Sequence, residues 1–183
     1  MRRLVAWNLM TLDGYFEGRT PWDLDFHETV WGAELESFSL EQMQEMSTLL
    51  FGRRTYEGMA SHWSKATGAV ADMMNAIEKA VASRMLEAAD WNNTRLLKGD
   101  AVETVKTLKA EDGKDICVFG SADLLSSLLK ARLVDEYRVC VAPVVLGAGT
   151  PLFKPQDRQI KMRLKSARAL KSGGTILTYA VGG

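Results

Sequence analysis

The chain has 183 residues, enough for one domain with a substantial hydrophobic core. Lysine plus arginine and aspartate plus glutamate both number 23, so no overall charge draws the protein to nucleic acid or to a membrane. The two cysteines lie in apolar runs and the two histidines are isolated, which argues against a disulfide framework and a metal site. No apolar stretch is long enough to cross a bilayer. We therefore expect a cytoplasmic protein without a metal, in which local basic residues hold any anionic ligand.

The first part of the chain is predicted to contain one strand, a long loop and two helices. An apolar run predicts a strand over residues 2–8, and an Asp-Gly pair within 11–15 marks the turn that leaves it. Residues 16–27 mix glycine, proline, aromatic and acidic residues without periodicity, which indicates a loop that faces a ligand. A helix is predicted over 29–38. A serine followed three residues later by glutamine is typical of a capping box, which predicts a second helix over 39–46.

The rest of the chain alternates strands with helices. Short apolar or β-branched runs predict strands, and apolar residues at helical spacing predict helices. The predicted strands are 48–51, 80–82, 94–97, 116–119, 134–141, 160–169 and 174–181, and the predicted helices are 53–59, 70–77, 102–108 and 121–129. This alternation favours an α/β fold with a mostly parallel sheet, helices on both faces and an antiparallel terminal hairpin. With no linker or repeat in view, we expect one domain over 1–183.

The chain is organised around a strand, a glycine and a helix start at residues 116–125. Gly120 allows a sharp turn and a close approach, and Ser121 is a favoured N-cap residue. Free N–H groups at a helix start form a natural anion site. The working hypothesis is that this turn holds a phosphate-bearing nucleotide.

Two further strand ends carry groups suited to phosphate. One is Gly52-Arg53-Arg54-Thr55, which offers a helix start and two guanidinium groups, and the other is Ser83-Arg84. Together with Gly120-Ser121-Ala122 they would suit a dinucleotide with an extra phosphate, such as NADPH, at the carboxyl ends of the strands. Each turn taken alone is equally explained as an ordinary helix cap.

Other nucleotide and hydrolase signatures are absent from the sequence. The Gly-x-Gly-x-x-Gly fingerprint is missing, since Gly147-Ala148-Gly149 runs into Thr150-Pro151 and not into a helix. There is no Walker lysine motif and no Gly-x-Ser-x-Gly elbow. These absences argue against a standard Rossmann dehydrogenase.

Five segments in a fixed order are much more specific than any one turn. They are 11–15 (TLDGY), 50–57 (LFGRRTYE), 118–124 (VFGSADL), 133–136 (LVDE) and 143–149 (PVVLGAG). With them the chain resembles the dihydrofolate-reductase-like family that includes the C-terminal reductase domain of the bifunctional riboflavin biosynthesis protein RibD. The resemblance implies a three-layer α/β/α architecture with a mixed sheet of about eight strands. It also implies NADPH as hydride donor, a small heterocyclic substrate and commonly a homodimer.

The resemblance also implies roles for particular residues. Gly52, Arg53 and Thr55 match the family's turn against the cofactor phosphates, and Arg54 lies between them. The pair Ser83-Arg84 matches the turn near the adenosine 2′-phosphate. The run Gly120-Ser121-Ala122 matches the turn under the pyrophosphate, and Leu12-Asp13-Gly14 matches the segment that closes over nicotinamide and substrate. Thr11 stands where the family often has serine.

The implied reaction is reduction of a C=N or C=O bond in a flat heterocycle or its ring-opened relative. Asp13 is the candidate polar group at the reacting centre, although aspartate is also favoured in turns for its backbone hydrogen bonds. Asn8, Tyr15 and Trp22 are candidate substrate contacts, and core packing is the other explanation of Trp22. The stretch 21–38 has no family counterpart, so dihydrofolate, a ribosylaminopyrimidine and a small carbonyl compound all stay open as substrates.

Two alternatives come from other classes of protein. One is a nucleotide-binding module without chemistry, which would bind NADPH without consuming it. The other is a scaffold whose sheet serves dimerisation, in which Arg53→Ala would change no ligand binding.

Overall fold

The computed structural model describes residues 1–182, and these form a mixed sheet between two layers of helices. The strands are β1 (Leu4–Thr11), β2 (Tyr15–Glu17), β3 (Met46–Gly52), β4 (Glu78–Ala82), β5 (Thr94–Leu97), β6 (Asp115–Phe119), β7 (Glu136–Ala142), β8 (Thr150–Pro151), β9 (Met162–Ala169) and β10 (Thr175–Val181). The helices are α1 (Ala33–Met43), α2 (Arg53–Trp63), α3 (Ala69–Ala76), α4 (Ala101–Ala110) and α5 (Ala122–Lys130), with a 3₁₀ turn at Asp25–Thr29.

The main sheet has eight strands in the order β5-β4-β3-β6-β1-β7-β10-β9. Neighbours from β5 to β7 pair in parallel, and β10 is antiparallel to both β7 and β9. β2 and β8 form a separate two-stranded ribbon. The expectation of a mostly parallel sheet with an antiparallel C-terminal hairpin is confirmed.

Alternation along the parallel strands builds one core on each face of the sheet. Val5 and Trp7 of β1 belong to the core under α1, α2 and α3, whereas Leu4 and Ala6 belong to the core under α4 and α5. Because successive side chains of a strand point to opposite faces, a strand buried on both sides reads as a continuous apolar run. This is why short runs were sufficient to predict the central strands.

The prediction of two helices between residues 29 and 46 is wrong. A single helix, α1, begins at Ala33, and the preceding residues 25–29 form a 3₁₀ turn. Ser39, the expected N-cap of a second helix, lies inside α1, where its hydroxyl donates to the Leu35 carbonyl oxygen at 2.8 Å. Serine can bond to the carbonyl one turn earlier in a helix, so the capping pattern had a second solution.

None of the helices within residues 1–182 combines the length and the apolar character that spanning a membrane requires. The same residues contain no group of three or more histidine, cysteine, aspartate or glutamate side chains arranged to hold a metal ion.

Candidate functional site

The strand ends that carry the three turns lie side by side. β4, β3 and β6 are consecutive in the sheet and parallel, so their carboxyl ends meet at one edge. Gly52 at the end of β3 is paired with Ala82 at the end of β4. The structure therefore brings residues 52–55, 83–84 and 120–122 to the same edge, which we call the carboxyl edge.

Ser121 joins two of these turns through its side chain. Its Oγ accepts a hydrogen bond from the Gly52 N–H at 2.9 Å and donates one to the Phe119 carbonyl oxygen at 3.3 Å. Ser121 immediately precedes α5 as predicted, but it adopts a left-handed conformation with φ 59° and its side chain caps no N–H of that helix. The expected capping bond is therefore wrong, because the hydroxyl is used to tie β6 to β3.

Gly120 lets its backbone lie close to the side chain of Thr55. Its φ is +60°, and a Cβ added there would lie 3.0 Å from Cγ2 of Thr55. A side chain at this position would therefore be strained and would press on the first turn of α2. The turn at 120–122 thus packs directly against the turn at 52–55.

The first N–H groups of α2 and α5 have no side-chain acceptor among residues 1–182. Neither Gly52 before α2 nor Ser121 before α5 makes a capping hydrogen bond. The first turn of a helix leaves such donors unpaired, and they carry the positive end of the helix dipole. Both helix starts therefore present N–H donors at the carboxyl edge.

The arginines around this edge differ in their partners. Arg53 donates from Nη1 to both carboxylate oxygens of Glu57 at 3.1 Å, and Arg84 pairs with Asp100 at 3.0 Å. Arg54 is exposed and forms no ion pair with any residue in 1–182. Ser83 uses its Oγ as an acceptor for the N–H groups of the two residues that follow Arg84.

Asp13 is held by three donors within the protein. Its carboxylate accepts from the Thr11 hydroxyl at 2.6 Å, from the Gly147 N–H at 2.8 Å and from the Leu146 N–H at 3.1 Å. These bonds, with that of Thr11 first, lower the pKa of Asp13 to about 2. The side chain therefore stays ionised near neutral pH and ties the β1–β2 turn to the loop after β7.

The three candidate substrate contacts lie in different surroundings. Asn8 is buried on the face shared by Leu4 and Ala6, and its Oδ1 accepts a hydrogen bond from the Tyr137 hydroxyl at 3.2 Å. Tyr15 is half-buried at the start of β2, where its N–H donates to the Thr11 Oγ1 at 3.0 Å. Trp22 is 44% exposed and lies against Gly58 of α2. Substrate contact by each of them stays a prediction.

Aromatic rings that sequence reasoning missed line the α1 face of the sheet. The rings of Trp7 and Phe38 lie 5.2 Å apart between centroids, and those of Phe51 and Phe119 lie 6.5 Å apart. The strand alternation around Asn8 was the available signal, because it places Trp7 on the face opposite Asn8. Trp7 and Phe51 are 2% and 0% exposed, so these rings form the core under α1, α2 and α3 and present no open face to a ligand.

The architecture defines the class of protein. A mixed eight-stranded sheet between two helical layers is shared with dihydrofolate reductase from Enterococcus faecalis complexed with NADP(H), at a TM-score of 0.65 and 13% identity over 99% of this chain and 97% of that one. The fold is therefore dihydrofolate-reductase-like. The family model described as the RibD C-terminal domain matches residues 2–176, and the chain belongs to that family.

The chain is also similar to a protein from Bacillus subtilis in sequence and to one from Shewanella in structure. The chain is 28% identical to the uncharacterised protein YyaP of Bacillus subtilis (strain 168), over 97% of this chain and 94% of that protein. It also superposes on a protein of Shewanella sp. PV-4 that is provisionally named a riboflavin biosynthesis protein. That superposition has a TM-score of 0.82 and 20% identity, and it covers 99% of both chains. The family suggests an oxidoreductase, and it leaves the substrate open.

Proposed function

We propose that this protein is an NADPH-dependent reductase of a small flat heterocycle, of the 5-amino-6-(5-phosphoribosylamino)uracil reductase or dihydrofolate reductase type. The observation that carries the proposal is the meeting of residues 52–55, 83–84 and 120–122 at one carboxyl edge. Ligands of open α/β sheets bind outside such strand ends. Membership of the RibD C-terminal domain family and the NADP(H) complex of the E. faecalis enzyme support the same cofactor.

The residues at this edge fit a dinucleotide. The free N–H donors that begin α2 and α5 suit the pyrophosphate, and the absence of a Cβ at Gly120 lets the turn before α5 pack closely on Thr55 at the start of α2. Of Arg53, Arg54 and Arg84, Arg54 is the one that has no carboxylate partner among residues 1–182, so it is the best placed of the three to receive the adenosine 2′-phosphate. Arg53 and Arg84 would have to share their present carboxylate partners with the ligand.

At the reacting end, NADPH when bound supplies the hydride, and the protein supplies orientation. A general acid must hold a proton at working pH, and the pKa of about 2 leaves Asp13 without one. We therefore propose that Asp13 positions the β1–β2 turn against the loop at Leu146 and Gly147. In this scheme the proton that completes the reduction comes from water or from the substrate.

Thermal unfolding with NADPH and with NADH tests the cofactor. At 100 times its Kd, NADPH should raise the Tm by about 5–10 °C. NADH should give a smaller shift, and Arg54→Ala should reduce the NADPH shift towards that of NADH. Arg158→Ala, a change at another exposed arginine, is the matched control and should keep the full difference.

The same experiment separates the alternatives. NADPH binding without oxidation at 340 nm in the presence of dihydropterins, aminopyrimidines and small carbonyl compounds would indicate a binding module. If neither NADPH nor NADH shifts the Tm, the proposal is contradicted, and a scaffold whose sheet serves dimerisation becomes the favoured alternative.

We propose that the protein acts as a homodimer through the apolar side of its C-terminal hairpin. Leu164 and Phe153 are 52% and 47% exposed, and Phe153 and Met162 line a cleft of about 200 Å³. Exposed apolar surface of this kind often marks an interface. Leu164→Asp should give a monomer by light scattering. Ser166→Asp should not, because a shift in the register between β9 and β10 places Ser166 opposite Thr178 and Leu164 opposite Tyr179, on the other face. A wild-type monomer would contradict this part of the proposal.

A cytoplasmic location belongs to the same proposal. Both thiols, Cys117 and Cys140, are free and buried, which suits a reducing compartment.

A further inference from the structure

One segment of the chain passes from one face of the sheet to the other across the carboxyl edge. Phe16, just before it, packs against the core under α4 and α5, and Phe26, just after it, belongs to the core under α1, α2 and α3. The intervening residues 17–23, which we call the strap, must therefore cross the carboxyl edge of the sheet. This is the edge at which we propose that the cofactor and substrate bind, and Trp22 reaches the helix that begins there.

The strap is closed on itself by short-range hydrogen bonds. The Gly18 N–H donates to the Asp23 carbonyl oxygen at 2.8 Å, and the Trp22 N–H donates to the Glu17 carboxylate at 3.2 Å. Trp22 itself has φ 66°, a left-handed conformation that is costly for a bulky residue. Such a conformation persists only where the surroundings hold it in place.

The element that holds Trp22 is the middle of α2. A Cβ added at Gly58 would overlap the Cζ2 and Cε2 atoms of the Trp22 ring, so the ring occupies a slot that only glycine leaves open. Glycine is a poor helix former, and Gly58 lies well inside α2 (Arg53–Trp63). Gly58 therefore lowers the stability of α2 but makes room for the Trp22 ring of the strap.

We propose that Gly58 is a positioning residue, which seats Trp22 and thereby holds the strap closed over the reaction site. This inference rests on the proposed function, because it needs a ligand beneath the strap. The closed strap keeps water away from the reacting ring, and the bound ligand leaves only after Trp22 leaves the Gly58 slot.

A double-mutant cycle on thermal stability tests the slot without any ligand. In the wild-type background, Gly58→Ala should lower the Tm because the new methyl group displaces the ring. In a Trp22→Ala background the same change should raise the Tm, since alanine is the better helix former and the ring is gone. Gly32→Ala, at an extended glycine with open space around its Cβ, is the control and should be nearly neutral in both backgrounds. If Gly58→Ala shifts the Tm in the same direction in both backgrounds, the claim that Gly58 seats the Trp22 ring is wrong.

Hydrogen exchange then tests the closure. Amides of 17–23 should exchange about tenfold faster in Gly58→Ala than in the wild type, while those of β1 and β6 stay protected. Stopped-flow release of NADPH should be about fivefold faster in Gly58→Ala and unchanged in Gly32→Ala. If NADPH binds but neither rate changes, the strap inference is wrong and the proposed function stands. If NADPH does not bind the wild type at all, the proposed function fails, and so does the claim that the strap covers its site.

Discussion

Two kinds of helix start stand side by side at the carboxyl edge. α4 follows β5 and is capped by Asp100, whose carboxylate accepts from the Val102 N–H at 2.9 Å and the Glu103 N–H at 3.2 Å. α2 follows β3 and α5 follows β6, and neither start has a side-chain cap.

The residues available for capping explain only half of the difference, because Gly52 before α2 has no side chain whereas Ser121 before α5 has one. Ser121 is a residue that commonly caps helices, yet its hydroxyl turns to the Gly52 N–H and its own helix is left with free donors. At α4 a side chain satisfies the donors, whereas α1 and α3, which begin after Gly32 and Gly68, are uncapped like α2 and α5. What sets α2 and α5 apart is that they follow directly from strands whose carboxyl ends meet at one edge, so their free donors lie where an anion could satisfy them. This placement is the physical basis of the proposed cofactor site.

The largest expected effect comes from filling the turn between α2 and α5. Gly120→Val places a β-branched side chain at φ +60° and against Thr55. We expect the NADPH affinity to fall about 100-fold or more, with a loss of about 2 kcal/mol in the free energy of unfolding. Fluorescence titration and urea unfolding measure the two quantities.

The matched control is Gly99→Val, because Gly99 also has a positive φ, +115°, but it precedes the capped helix α4. It should lose stability to a similar degree and keep its NADPH affinity. Equal loss of affinity in both variants would mean that the contrast between the helix starts has no bearing on binding.

The C-terminal end of α3 is a further helix end that the protein satisfies by itself, here with a buried lysine. Lys79 is fully buried, and its Nζ donates to the Met74 carbonyl oxygen at 3.0 Å and to that of Asn75 at 3.1 Å, at the end of α3. Lys79→Met would leave these acceptors without that donor, and we expect the free energy of unfolding to fall by about 1–3 kcal/mol. NADPH affinity should not change.

The pH dependence of this variant has a definite sign. Burial lowers the pKa of Lys79 from 10.5 to about 8, so between these values the unfolded chain binds more protons than the folded protein. Wild-type stability relative to Lys79→Met should therefore rise as the pH goes from 8 to 10. A difference that shrinks over this range, in chemical unfolding at each pH, would show that the lysine is not buried as described.

Removing the cap of α4 should have a smaller effect. Asp100→Ala should lower the Tm by a few degrees and should not weaken NADPH binding, because it frees Arg84 from its ion pair, whereas Asp100→Asn should keep most of the stability because asparagine caps well. The backbone N–H of Glu103 is the leading cause of the lowered pKa of Asp100. The carboxylate therefore stabilises the fold above its ordinary pKa, and this contribution is lost as the pH falls through the lowered value. A parallel loss of NADPH affinity would place the cofactor at the wrong helix.

The smallest expected effect is on the reaction itself. Because Asp13 positions a turn, Asp13→Asn should reduce kcat/KM far less than the roughly 10²–10⁴-fold loss expected for a missing general acid. The pH profile near neutrality should keep its shape. Activity that disappears, or loses a pKa in that range, would restore Asp13 as the proton donor.

Local patterns in the sequence predicted the strand–glycine–helix turns, since the apolar run before Gly120 and the one before Gly52 are strands by themselves. They could not predict which partner Ser121 would choose, because its acceptor role depends on Gly52, 69 residues away. The donors to Asp13 at Leu146 and Gly147 are still more distant, at 133 and 134 residues. Likewise, Gly58 is only an unfavourable helix residue until Trp22 is placed against it.

A crystal structure with bound NADPH tests the central claim most directly. The account predicts the pyrophosphate at the starts of α2 and α5, with phosphate oxygens about 3 Å from their first N–H groups. Pyrophosphate bound elsewhere, with those donors facing only solvent, would contradict it.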